Sequence, residues 1–169
     1  MAGSLIDQYR RWFEYETDAH ALVFASFETV PDEKRTTPEY RRAVSVLSHI
    51  VAARRIWLYR LGVIPAAPSS LFAEGRGVDQ IKTDWDDVQG SWADYLGTLD
   101  DDAIVRAFEY KSRDSGRFRN RVEDILAQLF GHSSYHRGQI AMLINAAGGK
   151  PAVTDLIYWC RESVSDIKM

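Results

Sequence analysis

Val122, Ile125, Leu129, His132, His136, Ile140, Leu143 and Ala147 recur at alternating steps of three and four, the stripe of an amphipathic helix that faces a core. A stripe this long needs apolar partners on other helices, so it restricts the chain to packed-helix architectures. Two of the four histidines lie in it, four residues apart. Both imidazoles therefore project from one side, toward the interior, where neighbouring rings can converge on a divalent ion. Two neutral, hydrogen-bonded imidazoles in a helical core would give the same spacing. The spacing leaves both readings open, and a third ligand is what would separate them. Gln139 lies near the stripe, whereas Arg137 is rotated away from it and is expected on a flank.

The rest of the chain supplies the partners. Ser4 with Asp7 reads as a helix start, and Leu5, Tyr9, Trp12, Phe13, Glu16, His20, Val23, Phe24 and Phe27 trace one face to about Thr29. Glu16 and His20 belong to that face. Either they look inward, where an ionisable group must be paired or bound, or the face is narrow and they sit on its solvated margin. Thr37 before Pro38 is an N-cap followed by proline at the first helical position, and a second helix runs through Val44, Leu47, Ile50, Ile56 and Leu61 to Gly62. His49 falls at the edge of its apolar arc, with Ala53, Ile56 and Arg60 one, two and three turns along. Pro65 to Gly77 reads as a long connection anchored by Leu71 and Phe72.

Thr83 or Asp84 is expected to cap a third helix bearing Trp85, Val88, Trp92, Leu96 and Leu99, with Asp84, Asp86 and Asp87 at its positive end. After Asp100-Asp101-Asp102, the alternation from Ile104 to Arg119 and the turn residues Ser112 to Gly116 predict a short hairpin. Its Arg106, Lys111, Arg113, Arg117 and Arg119, with Arg121 beyond, form either a solvated basic surface or a rim that receives an anion. Asn120 with Glu123 predicts the start of the fourth long helix, Gly148-Gly149 its end, and Asp155 the start of a short terminal helix that includes Val164. The expected fold is all-α: one four-helix-bundle domain over 1–169, with a long connection between the second and third helices.

Composition narrows the function. At 169 residues and 46% hydrophobic, the chain can bury a sizeable core. The single cysteine, Cys160, excludes an intramolecular disulfide and a cysteine-based zinc cluster, and its apolar surroundings predict a buried, inert thiol. A net charge of -3 argues against general nucleic-acid binding. No apolar run is long enough to span a bilayer and the start lacks a signal-peptide layout, so no membrane association and a cytoplasmic address are expected.

The run His132-Ser133-Ser134-Tyr135-His136-Arg137-Gly138-Gln139-Ile140 resembles the HxxxHRGQ signature of the DinB/YfiT-like family of bacterial four-helix-bundle proteins. Leu47 to Ala53 followed by Ile56-Trp57 is similar to the family's second-helix segment, and Thr154-Asp155-Leu156 to its C-terminal ending. The resemblance implies a metal triad at His49, His132 and His136 with positions left open for water or substrate. It implies zinc or nickel as the divalent ion, a homodimer, and an activity of the thiol S-transferase type on a small-molecule substrate with a low-molecular-weight thiol. In that scheme Glu16 is the candidate general base or outer partner, and hairpin arginines hold carboxylates of the thiol. The alternatives are a metal-dependent hydrolase and a non-catalytic, metal-stabilised binding protein. Two departures matter. Asp18-Ala19-His20 stands where many relatives resemble Trp-Ala-Asn, which leaves the role of His20 open. Ser133 rather than glutamate follows His132, so the HExxH protease mechanism lacks its base.

Overall fold

The structure, a computed structural model, describes residues 3–72, 75–112 and 116–163. Four long helices dominate it: α1 (Leu5–Glu28), α2 (Pro38–Arg60), α3 (Val78–Gly97) and α5 (Val122–Ala146). Short helices α4 (Asp101–Ile104) and α6 (Leu156–Cys160), a 3-10 turn at Asp32–Lys34, and an antiparallel hairpin of β1 (Ala107–Lys111) and β2 (Arg117–Arg121) complete it. α2 packs chiefly on α5 and α3, and α1 closes the bundle against α5 and α3. Leu47, Ile50, Leu58, Ile81, Trp92, Ile140 and Ile144 are shut off from solvent at its centre. Each such aliphatic side chain contributes roughly 1.5–3 kcal/mol by leaving water.

Local chemistry sets the helix ends. The Ser4 hydroxyl accepts from the Asp7 amide and the Asp7 carboxylate from the Ser4 amide, closing the predicted box. Thr37 caps α2 ahead of Pro38, as its sequence implies. Gly62, at φ +76°, ends α2 in the left-handed region, and Gly148, at φ +82°, does the same after α5.

Three boundaries differ from expectation. α3 begins at Val78, more than a turn before Thr83 and Asp84, with the Gly77 amide donating to the Gln80 side chain. The extra turn inserts Ile81 into the core. Asp84 and Asp86 consequently lie inside the helix, where they pair with Arg76 and Lys82 instead of meeting its end. α5 starts at Val122: the Arg121 amide donates to Asp124, not Asn120 to Glu123. Asn120 stays in β2 opposite Phe108 and accepts from the Tyr110 hydroxyl. The aspartate run after α3 caps α4, with the Asp100 carboxylate accepting from the Ala103 amide, so the hairpin starts at Ala107 and not at Ile104. Arg113 and Val164 lie outside the described residues. Cys160 is half-buried rather than buried. Among the described residues no helix is long and apolar enough to cross a membrane.

Candidate metal centre

α2 and α5 bring the three histidines together across their interface. His49 Nε2 lies 3.2 Å from His132 Nε2, and His136 Nε2 lies 3.1 Å from the same atom. One ligand atom from each ring falls within 4.8 Å of every other. Metal–nitrogen bonds of about 2.0–2.1 Å at tetrahedral angles would put neighbouring nitrogens ~3.3 Å apart, and at octahedral angles ~3.0 Å. The two separations that share His132 Nε2 fall between those values and the third lies within 4.8 Å, so a modest closing of the His49 and His136 rings would set all three donors on a single ion.

The outer nitrogens fix the tautomers. His49 Nδ1 sits 3.1 Å from the Leu71 carbonyl, which only accepts, so the proton is on Nδ1 and the Nε2 lone pair faces the cluster. His136 Nδ1 is 2.8 Å from Gln139 Oε1, with the same result. Two lone pairs thus converge on His132, an arrangement that a cation relieves and that outer hydrogen bonds of this kind support. Burial, then His136, His49 and Arg54, pushes the His132 imidazole down to about 4, and burial also lowers His49. Both rings are held in the neutral form that ligates a metal. Phe72 lies flat on His49, at 4.2 Å between centroids and 2° between planes, so the long α2–α3 connection covers one side.

Beneath the cluster is a buried charge network that inverts the expectation for Arg137. This side chain is 3% exposed and donates to Glu16 Oε1 and to the Tyr15 hydroxyl. Arg54, equally buried, donates to Glu16 Oε2 at 2.7 Å, to Gln89 at 3.0 Å and to the Ser133 hydroxyl at 3.3 Å. Glu16 and His20 do face inward. The His20 ring is fully enclosed, stacks on Trp85 at 3.9 Å and is forced well below its ordinary value by burial and then by the two guanidiniums. Arg137 is buried because α5 carries a second apolar stripe, Leu126, Phe130, Ser133, Arg137, Ile140 and Ile144, beside the histidine one. Arg54 likewise sits on the α2 stripe Leu47, Val51, Arg54, Leu58. A lone glutamate on one core stripe and single arginines on two others were the readable sign of this network.

A cleft of about 390 Å³ opens beside the cluster, between α2 and α5, with Leu71 and Ser112 at its rim. Arg106, Arg117, Arg119 and Arg121 are all exposed, Arg117 paired with Glu109 and Arg121 with Glu123. Among the described residues, the arginine that lines the cleft is Arg60 of α2.

Four long helices, a covered three-imidazole cluster and an adjacent cleft define a helical-bundle protein with a site that could hold a metal ion. The chain belongs to the DinB family, whose model matches residues 5–162. The fold is similar to that of a DinB-like protein from Bacillus cereus ATCC 10987, with a TM-score of 0.68 and 18% identity over 90% of this chain and 99% of that one. No curated protein matches the sequence.

Proposed function

We propose that this protein is a metal-dependent S-transferase: one divalent ion, zinc or nickel, is held by His49, His132 and His136, and a low-molecular-weight thiol is joined to a small electrophile. The observation that carries this reading is the convergence of three Nε2 atoms at the head of a cleft, with the outer nitrogens of His49 and His136 occupied by acceptors. A bound ion would supply Lewis acidity, lowering the pKa of a thiol or water beside it.

The donor set favours the thiol over water. Among the described residues no carboxylate joins the three histidines, and Glu16 has both oxygens engaged by guanidiniums. A thiol is far more acidic than water to begin with and reaches its anion readily beside an ion, whereas a metal-bound water deprotonates only near neutral pH and has no carboxylate here to assist its attack. Glu16 in this reading is a positioning residue. Through Arg54 it reaches Ser133, next to His132, and through Arg137 it grips the residue after His136. The chain acts as one domain over 1–169, in the cytoplasm and as a homodimer. Tyr135 and Met142, 66% and 76% exposed and two turns apart on α5, offer an apolar face for that pairing.

The test is elemental analysis of protein purified without a histidine tag, followed by assay with bacterial thiols and a chlorinated arene. In the expected reaction a sulfur–carbon bond forms, the carbon–chlorine bond breaks, and chloride and the thiol proton leave. One ion per chain, lost in His132→Ala and His136→Ala and weakened in His49→Ala, supports the site; full occupancy in His136→Ala refutes it. Turnover of esters or amides without turnover of any thiol would move the reading to hydrolysis.

A further inference from the structure

We propose that the groove between the first two turns of α2 and the segment leading into α3 is a binding site for a phosphate ester, separate from the histidine cluster. The proposal goes beyond the metal-and-thiol reading and does not depend on it.

The groove encloses about 690 Å³, the size of a small-molecule site. Tyr40, Arg41, Arg42 and Ser45 of α2 line it, with Arg35 before them and Arg76 on the facing segment. Four guanidiniums therefore border one space, and among the described residues no carboxylate does. The whole chain carries a net charge of -3, so this concentration of positive charge is a local feature and not a reflection of composition.

The four arginines divide by role. Arg35 serves the fold: it donates to the Val30 carbonyl at 3.1 Å and the Glu28 carbonyl at 3.2 Å, and it pairs with Asp32 at 3.2 Å. Arg76 donates to the Asp84 carboxylate and, at 3.3 Å, to the Gln80 carbonyl. Arg41 and Arg42 differ. Among the described residues neither guanidinium has a carboxylate partner or a hydrogen-bond acceptor, and Arg42 meets only the Phe72 ring, 5.9 Å from its guanidinium carbon. A ring takes the face of a guanidinium and leaves its N–H edges for an anion.

Two neutral donors stand with them. The Tyr40 and Ser45 hydroxyls also lack a hydrogen-bond partner among the described residues. Burial raises Tyr40 above its ordinary value, Arg35 opposing and Asp79 adding, so this hydroxyl keeps its proton. Arg41 and Arg42 precede Ser45 by four and three residues, so the two guanidiniums flank its hydroxyl from one turn below. A carboxylate, with two oxygens and one charge, satisfies only part of this set. A phosphate ester brings three acceptor oxygens and a charge of about -1.5 to -2 at neutral pH, which matches it. The Tyr40 ring and Val44 supply apolar surface for the organic part.

The experiment is isothermal titration calorimetry of the full chain at pH 8 with phenyl phosphate and with benzoate, which share a ring and differ in the anionic group. Phenyl phosphate should bind once per chain and at least about tenfold more tightly than benzoate, the effect of an added charge-assisted contact. Arg41→Gln and Arg42→Gln should each weaken it about tenfold, and the corresponding lysine variants should retain part of the affinity. Both arginines are exposed, and thermal melts by circular dichroism establish that the variants fold. His136→Ala, altered at the histidine cluster, should bind phenyl phosphate as the native chain does. Loss of binding in His136→Ala with retention in Arg41→Gln would assign the anion to a metal ion and overturn the proposal. Equal affinity for benzoate, absence of saturable binding, or affinity unchanged in both glutamine variants overturns it as well. Each of these three results leaves the metal-and-thiol reading standing.

Discussion

Replacing Glu16 by Gln keeps the shape of the side chain and removes the anion that pairs with two buried cations. Glu16, Arg54 and Arg137 side chains are each 2–3% exposed. The cluster is two guanidiniums and one carboxylate, and His20 beside it is kept neutral. A glutamine amide offers one oxygen where two were used, and its NH2 faces a donor. Both guanidiniums are left buried without a counter-ion and one also loses its acceptor, a change that costs about 3–5 kcal/mol in comparable networks. For a chain of this size the melting temperature should fall by roughly 6–20 °C. Urea unfolding of the metal-free protein reads the change directly. The contrasting variant replaces all three charges with apolar groups, Glu16→Leu with Arg54→Met and Arg137→Met. Desolvation offsets most of what a buried ion pair gains, so this triple variant should recover to within about 1 kcal/mol of the native chain. Its metal affinity should still fall, because Ser133 and the turn carrying His136 lose their anchors. A loss below ~1 kcal/mol in Glu16→Gln would refute the claim that this carboxylate neutralises the arginines.

Gln139→Leu removes the acceptor on His136 Nδ1 and should weaken metal binding about 10–100-fold with little change in unfolding midpoint, measured by competition with a chromophoric chelator. The metal-free protein should lose stability as pH falls from about 6.5. Burial depresses His20, His49 and His132 in the folded chain, so protons bind the unfolded chain first; the loss continues to about pH 4 for His132 and further for His20. A urea midpoint unchanged between pH 7.5 and 5 would contradict this. Gly149→Ala would place a Cβ 2.7 Å from Val30 Cγ2 and 2.9 Å from Ile144 Cγ2, so a destabilisation of about 1–3 kcal/mol is expected from thermal melts, against no loss at Gly138→Ala, where nothing lies within 4 Å.

The helices and the His132–His136 pair were legible because both depend on spacing, whereas His49 joined them only through the family resemblance. Four apolar stripes gave the four long helices, and His49, His132 and His136 occupy stripe or edge positions that the structure brings together. Helix starts were less legible because capping signals are short and compete. Asn120 has good chemistry for a cap, but strand pairing with Phe108 claims its backbone, and Asp124 serves the next residue instead. The buried network was hidden for a different reason: a single helix cannot show that its charged residue has a partner on another. On α5 alone, burial of Arg137 has no compensation and a flank position is the cheaper reading. Only when Glu16 of α1 and Arg54 of α2 lie opposite does burial become affordable, so three departures from apolar pattern on three helices are one feature. The pairing therefore specifies which faces of α1, α2 and α5 meet. That registration places His49 opposite His132 and sets the cleft along the Arg60 edge, so the charge network beneath the histidines determines the geometry of the site above it.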